Sequence, residues 1–149
     1  MATMKIPPDF REFLKLLNAN NVEYLLIGGY AVGYYGYPRP TGDMDIWIKI
    51  EAENAKKTVK ALSEFGFSSP TLSEELLLKE MQIVRMGIPP FRLEVSTHID
   101  GVDFDECFAD KKIVDLDGVP TNLISLKHLK INKKASGRYK DLNDLENLP

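Results

Sequence analysis

The chain has 149 residues, of which 44% are hydrophobic and 28% charged, the balance of a folded domain that buries its own core. No apolar run approaches the roughly 20 residues of a membrane span, Met1 to Pro8 has no signal-like apolar stretch, and the single cysteine, Cys107, excludes an intramolecular disulfide. These features predict one domain over 1–149, in the cytoplasm and without a membrane; the net charge of −3 argues against a protein that coats nucleic acid.

In chain order, Pro7-Pro8 followed by Phe10, Phe13, Leu14 and Leu17 at helical spacing predicts a first helix. Tyr24-Leu25-Leu26-Ile27 reads as a buried strand that runs into Gly28-Gly29, and residues 30–36 as a short helix. Pro38 and Pro40 impose an extended loop. From Asp43 to Ile50 the chain alternates: Met44, Ile46, Ile48 and Ile50 share one face, and Asp43, Asp45, Trp47 and Lys49 the other. Ala52, Ala55, Val59 and Leu62 form an amphipathic helix stopped by Gly66. Residues 70–80 fit a helical excursion or a loop.

Strands are predicted over Gln82–Met86 and Phe91–Val95, joined by a turn through Gly87-Ile88-Pro89-Pro90. A helical turn is read over Phe104–Ala109 and a short strand over Ile113–Val119, with Asp117-Gly118 as its turn. A helical tail from about 123 carries Leu123, Leu126 and Leu129, then, past Gly137, Leu142, Leu145 and Leu148. The main order, α-β-α-β-α-β-β-α-α, describes an α+β domain with a small mixed sheet flanked by helices.

Three features carry chemistry. Gly28-Gly29 lies between a strand and a helix, where backbone N–H groups can approach an anion. Asp43 and Asp45 sit on one strand face, about 7 Å apart at the backbone, and can converge on cations. Glu94 stands between Leu93 and Val95 on another strand, an acidic residue among apolar neighbours. Transfer of a nucleotidyl group brings a nucleophile towards an already charged phosphate, and carboxylate-held metal neutralises that charge. Each feature also has a plainer explanation: a tight turn, the solvent face of an edge strand, a partner for Arg92.

Taken together, Ile27-Gly28-Gly29 and Asp43-Met44-Asp45-Ile46 resemble the signature of the nucleotidyltransferase superfamily. Residues 26–48 (LIGGYAVGYYGYPRPTGDMDIWI), including Arg39-Pro40-Thr41-Gly42-Asp43, and the tail from Asn132 to Leu142 are similar to small bacterial proteins related to abortive-infection nucleotidyltransferase toxins. The resemblance implies a nucleotidyltransferase (polymerase β-like) fold, magnesium, a nucleoside triphosphate, and transfer of a nucleoside monophosphate to a hydroxyl of a small molecule, protein or RNA. It implies Asp43, Asp45 and Glu94 as metal ligands and catalytic groups, Glu94 standing where Asp is common and serving as base or base-orienting group. Gly28 and Gly29 would cradle phosphates, Arg39 and Thr41 would position the triphosphate or the strand, and Lys133 and Arg138 would reach the phosphates.

Asp141 and Asp144, three apart, are expected to pair with neighbouring cations such as Lys140. His98 and His128 fit structural or exposed roles, Cys107 a buried thiol, and at least two of Tyr30, Tyr34, Tyr35 and Tyr37 packing. Two other readings use the same residues: a silent module of this fold in a toxin–antitoxin pair, and an RNA binder acting through the basic tail. A homodimer or an antitoxin partner fits the small size.

Overall fold

A computed structural model describes residues 5–38, 42–67, 72–88 and 91–149. Helix α1 (Pro8–Ala19) starts where Pro8 supplies a helical φ and needs no amide donor, and it buries Phe10, Phe13, Leu14 and Leu17. Strand β1 (Tyr24–Ile27) is buried along its whole length and runs directly into helix α2 (Gly28–Tyr34). The two glycines therefore form the first turn of α2 rather than a separate loop.

Strand β2 (Asp43–Ile48) shows the expected alternation, with Met44, Ile46 and Ile48 fully buried. Trp47, on the face of Asp43 and Asp45, is covered too, because Phe104 meets its ring edge-on at 5.0 Å. Helix α3 (Ala52–Phe65) opens on a bond from the Glu53 amide to the Glu51 carboxylate and closes at Gly66, which takes the left-handed conformation (φ 100°). Phe65 packs on Phe13 at 5.3 Å, tying α3 to α1.

Leu76–Leu78 form a single 3₁₀ turn, followed by strands β3 (Ile83–Ile88) and β4 (Phe91–Ser96), helix α4 (Phe104–Ala109), strands β5 (Lys112–Leu116) and β6 (Val119–Leu123), and helices α5 (Leu126–Ser136) and α6 (Tyr139–Asn147). The six strands form one mixed sheet in the order β3-β4-β2-β1-β6-β5. Pairs β1–β2, β3–β4 and β5–β6 are antiparallel, whereas β2–β4 and β1–β6 are parallel.

The expected α+β architecture is present, with one correction. Residues 119–123 are the second arm of a hairpin, and Leu123 pairs with Leu26 and Lys112 instead of opening the helical tail. The hairpin turns on Asp117 (φ 52°) and Gly118 (φ 87°), the two positive values that match the twist of antiparallel strands. The tail begins at Leu126, after Ser125 accepts the His128 amide and caps α5. Among the described residues no helix is long and apolar enough to cross a membrane.

Candidate active site

Strand register builds the site. Parallel pairing of β2 with β4 sets Asp45 beside Glu94 and Asp43 beside Arg92. Antiparallel pairing of β4 with β3 then sets Arg85 beside Glu94. Because alternate residues share a face, Asp43, Asp45 and Glu94 open together into one cleft of about 670 Å³, a volume suited to a small-molecule ligand.

The three carboxylates have different surroundings. Asp43 is held by Arg92, whose Nη2 and Nε donate to its two oxygens at 3.1 and 3.3 Å. Glu94 accepts from Arg85 Nε at 2.9 Å. The partner read for Glu94 in sequence, Arg92, thus belongs to Asp43. Among the described residues no such cation is paired with Asp45. Burial, then a hydrogen bond with Glu94 and the charges of Glu94 and Asp43, push its carboxyl up to about 7, with Lys140 acting in the opposite direction. The cause is that a shielded carboxylate set beside two others resists ionising.

Gly28 forms the floor. Its φ is 70°, and a Cβ added there would lie 2.1 Å from Asp45 Oδ2, so both conformation and contact demand glycine. Gly29 and Gly42 also line the cleft. Arg39 and Thr41 lie outside the described residues.

The opposite wall comes from α5 and α6. Gly137 (φ 67°) ends α5 and turns the chain so that α6 folds back on it. Lys133, Arg138, Lys140 and Asp141 reach the cleft. Lys133, whose side chain is 6% exposed, has its ammonium 3.2 Å from Asp141 Oδ1 and 3.1 Å from Asp144 Oδ2. Arg138, largely exposed, donates Nε to Asp141 Oδ2 at 2.7 Å and Nη2 to Oδ1 at 3.3 Å. Burial pushes the Asp141 carboxyl up, but hydrogen bonds from Arg138 and Lys133, with their charges, outweigh it and hold it below the usual carboxylate range. The two aspartates accordingly pair with Lys133 and Arg138, not with Lys140.

Residues set aside in sequence take ordinary places. His128 is buried against Ser125 Oγ at 3.0 Å, and His98 lies at the cleft mouth beside Asp100 at 3.3 Å. Cys107 is buried, and that burial pushes its thiol up to about 11, which makes it a poor nucleophile. Tyr30 packs edge-on against Phe10, and the Tyr35 hydroxyl donates to the Ile124 carbonyl at 2.7 Å. Sequence reasoning passed over Arg85 and read Lys140 only as a partner for Asp141 and Asp144. Arg85 could have been found by pairing the two arms of the 83–96 hairpin, and Lys140 by its position beside Arg138 at the start of a helix.

Among the described residues no three acidic, imidazole or thiol groups form a ready-made metal cage. The donor set nevertheless fits magnesium. The cleft offers three carboxylates, the kind of group this ion takes, and the raised carboxyl of Asp45 marks an excess of negative charge that a divalent cation would relieve.

No protein-family model matches the chain, and no curated protein does. Two solved structures share its fold over nearly their full lengths. One is a Thermotoga maritima protein (TM1012) provisionally assigned as a nucleotidyltransferase, with a TM-score of 0.61, 18% identity, and 96% of this chain covering 94% of that one. The other is the lincosamide antibiotic adenylyltransferase LnuA, lincomycin-bound, with a TM-score of 0.56, 14% identity, and 97% of each chain covered.

Proposed function

From a chain that has the nucleotidyltransferase fold, we propose a metal-dependent enzyme that moves a nucleoside monophosphate from a nucleoside triphosphate to a hydroxyl acceptor and releases pyrophosphate. The observation that carries this reading is the convergence of Asp43, Asp45 and Glu94 at the Gly28 floor of a cleft whose far wall is cationic. An adenylyltransferase of the same fold supports a nucleotide as donor.

In this reading Asp43 and Asp45 hold magnesium, with Glu94 completing the set. Bound there, the ion supplies charge neutralisation on the phosphates and lowers the cost of bringing an oxygen nucleophile to them. The chain's own residues do the rest. Gly28 and Gly29 let the phosphate chain lie close to the backbone at the start of α2. Glu94 orients the acceptor hydroxyl and receives its proton as the oxygen bonds to the α-phosphorus and the bond from that phosphorus to the pyrophosphate oxygen breaks. Arg138, at the cleft wall, meets the negative charge of the phosphates.

The test is binding of labelled nucleoside triphosphate with and without magnesium, in the wild type and in Asp43→Ala with Asp45→Ala. Magnesium-dependent binding is expected in the wild type and lost in the double variant; equal binding in both overturns the site. Incubation of the wild type with each α-labelled triphosphate, magnesium and cell extract then identifies the acceptor as small molecule, protein or RNA by what becomes labelled.

A further inference from the structure

The cleft holds several cations, and they are not equivalent. Arg85 is committed to Glu94, and Lys133 is buried between Asp141 and Asp144. Arg138 reaches solvent but is bonded to Asp141 by two nitrogens. Lys140 differs from all three. Its side chain is exposed and lines the cleft, and among the described residues no ion pair engages it.

Its placement is fixed by its neighbour. Lys140 is the second residue of α6, and Asp141, the third, is 1% exposed and anchored by Lys133 and Arg138. The backbone beneath Lys140 therefore has little freedom, while its ammonium extends towards the carboxylate centre. The same arrangement explains why its charge is felt at Asp45. A buried lysine already satisfied by two carboxylates gives up both contacts if it turns to a phosphate, and breaking buried ion pairs costs more than a new exposed contact returns. An unpaired ammonium has no such cost.

We infer that Lys140, rather than Lys133, is the lysine that binds the triphosphate, and that the Lys133–Asp141–Asp144 cluster acts through it by holding α6 in place. The inference rests on the nucleotidyl-transfer reading and names a phosphate-binding residue for that site.

The test measures affinity for a non-hydrolysable analogue of each common nucleoside triphosphate, and for the corresponding monophosphates, by titration calorimetry with magnesium present. Lys140→Met is expected to weaken triphosphate binding about tenfold or more, in line with loss of a charge-assisted contact. It should weaken monophosphate binding much less and leave the melting temperature unchanged, and Lys140→Arg should restore the affinity. Lys133→Met should instead lower the melting temperature. Added on top of Lys140→Met, it should cause no further loss of the preference for triphosphate over monophosphate.

Wild-type binding with full retention in Lys140→Met overturns this inference alone. So does a Lys133→Met variant that melts like wild type and loses the triphosphate preference. Absence of binding to any triphosphate in the wild type overturns the nucleotidyl-transfer reading, and this inference with it.

Discussion

Two walls of one cleft each shield an aspartate from solvent, and they treat it in opposite ways. Asp45, on the sheet, faces Glu94 and Asp43 and is pushed up to about 7; Asp141, on α6, faces Lys133 and Arg138 and is held below the usual range. Burial acts in the same direction on both, so the sign of the outcome is set by neighbours. The helical wall has paired its aspartates with cations of the same chain. The sheet wall has left its charge in excess, which is the condition of a site that expects a cation from outside.

The comparison is broken most forcefully on the helical side. Asp141→Ala leaves Arg138 without its carboxylate and Lys133 with Asp144 alone, in a place where the lysine side chain is 6% exposed. Removing one partner of a buried ion pair typically costs about 3–5 kcal/mol, so chemical denaturation should show a loss of that order. A change below about 1 kcal/mol, the scale of an exposed pair, would mean that the cluster is solvated and the contrast between the walls is false.

Asp45→Asn should move stability the other way. With its carboxyl raised from an ordinary 3.8 to about 7, the folded state keeps a proton that the unfolded chain has given up between those values. Stability is therefore free of this cost below pH 3.8, declines as pH rises through the interval, and bears the full cost above about 7. The variant should be more stable than wild type at pH 8, by on the order of 2–4 kcal/mol, and equal to it near pH 3.5. Denaturation at several pH values reads the slope directly, and a variant no more stable at pH 8 contradicts the raised carboxyl. Magnesium binding to the wild type should also weaken below pH 7, since the ion must displace the proton that the raised Asp45 carboxyl keeps.

How much of this was legible in sequence depended on whether the signal was local. The alternation of Met44, Ile46 and Ile48 with Asp43 and Asp45 has a period of two and needs no tertiary information, so both strand and paired carboxylates could be read. Strand β6 could not, because Pro120 and Asn122 lack strand character and Leu123 fits the leucine spacing of the following helix; pairing with β1 and β5 overrides that local preference. In the site, Glu94 was visible but its partner was misread. Arg92 is two residues away on the same strand face, yet register places it across from Asp43 and brings Arg85 to Glu94. Lys133 was read as a cation reaching the phosphates, because only the turn at Gly137 reveals that Asp141 and Asp144 fold back onto it.

Gly28→Ala tests whether the floor holds Asp45 where it is. The methyl would need a left-handed backbone and would overlap a carboxylate oxygen. Strain of about 1–3 kcal/mol is expected, visible as a lower melting temperature, with magnesium affinity falling because Asp45 must move. Retained affinity at a lowered melting temperature would separate the glycine from the site and leave it a purely structural residue.

The smallest effect on stability is expected at Arg85, and it sharpens the comparison most. Its side chain is 56% exposed, so its pair with Glu94 is screened and Arg85→Ala should change stability by no more than about 1 kcal/mol. Charge at the site changes all the same. Removing one cation from beside the carboxylate centre raises its negative charge, and at the effective dielectric of a protein surface this should strengthen magnesium binding roughly threefold. Two influences compete, because the guanidinium also orders Glu94. Charge should win, since Glu94 keeps its hydrogen bond to Asp45 and is therefore still held in the cleft. A magnesium titration that shows weaker binding in Arg85→Ala would reverse that ranking: the longer side chain of glutamate would then need an arginine to aim it, and β3 would belong to the site as much as β2 and β4.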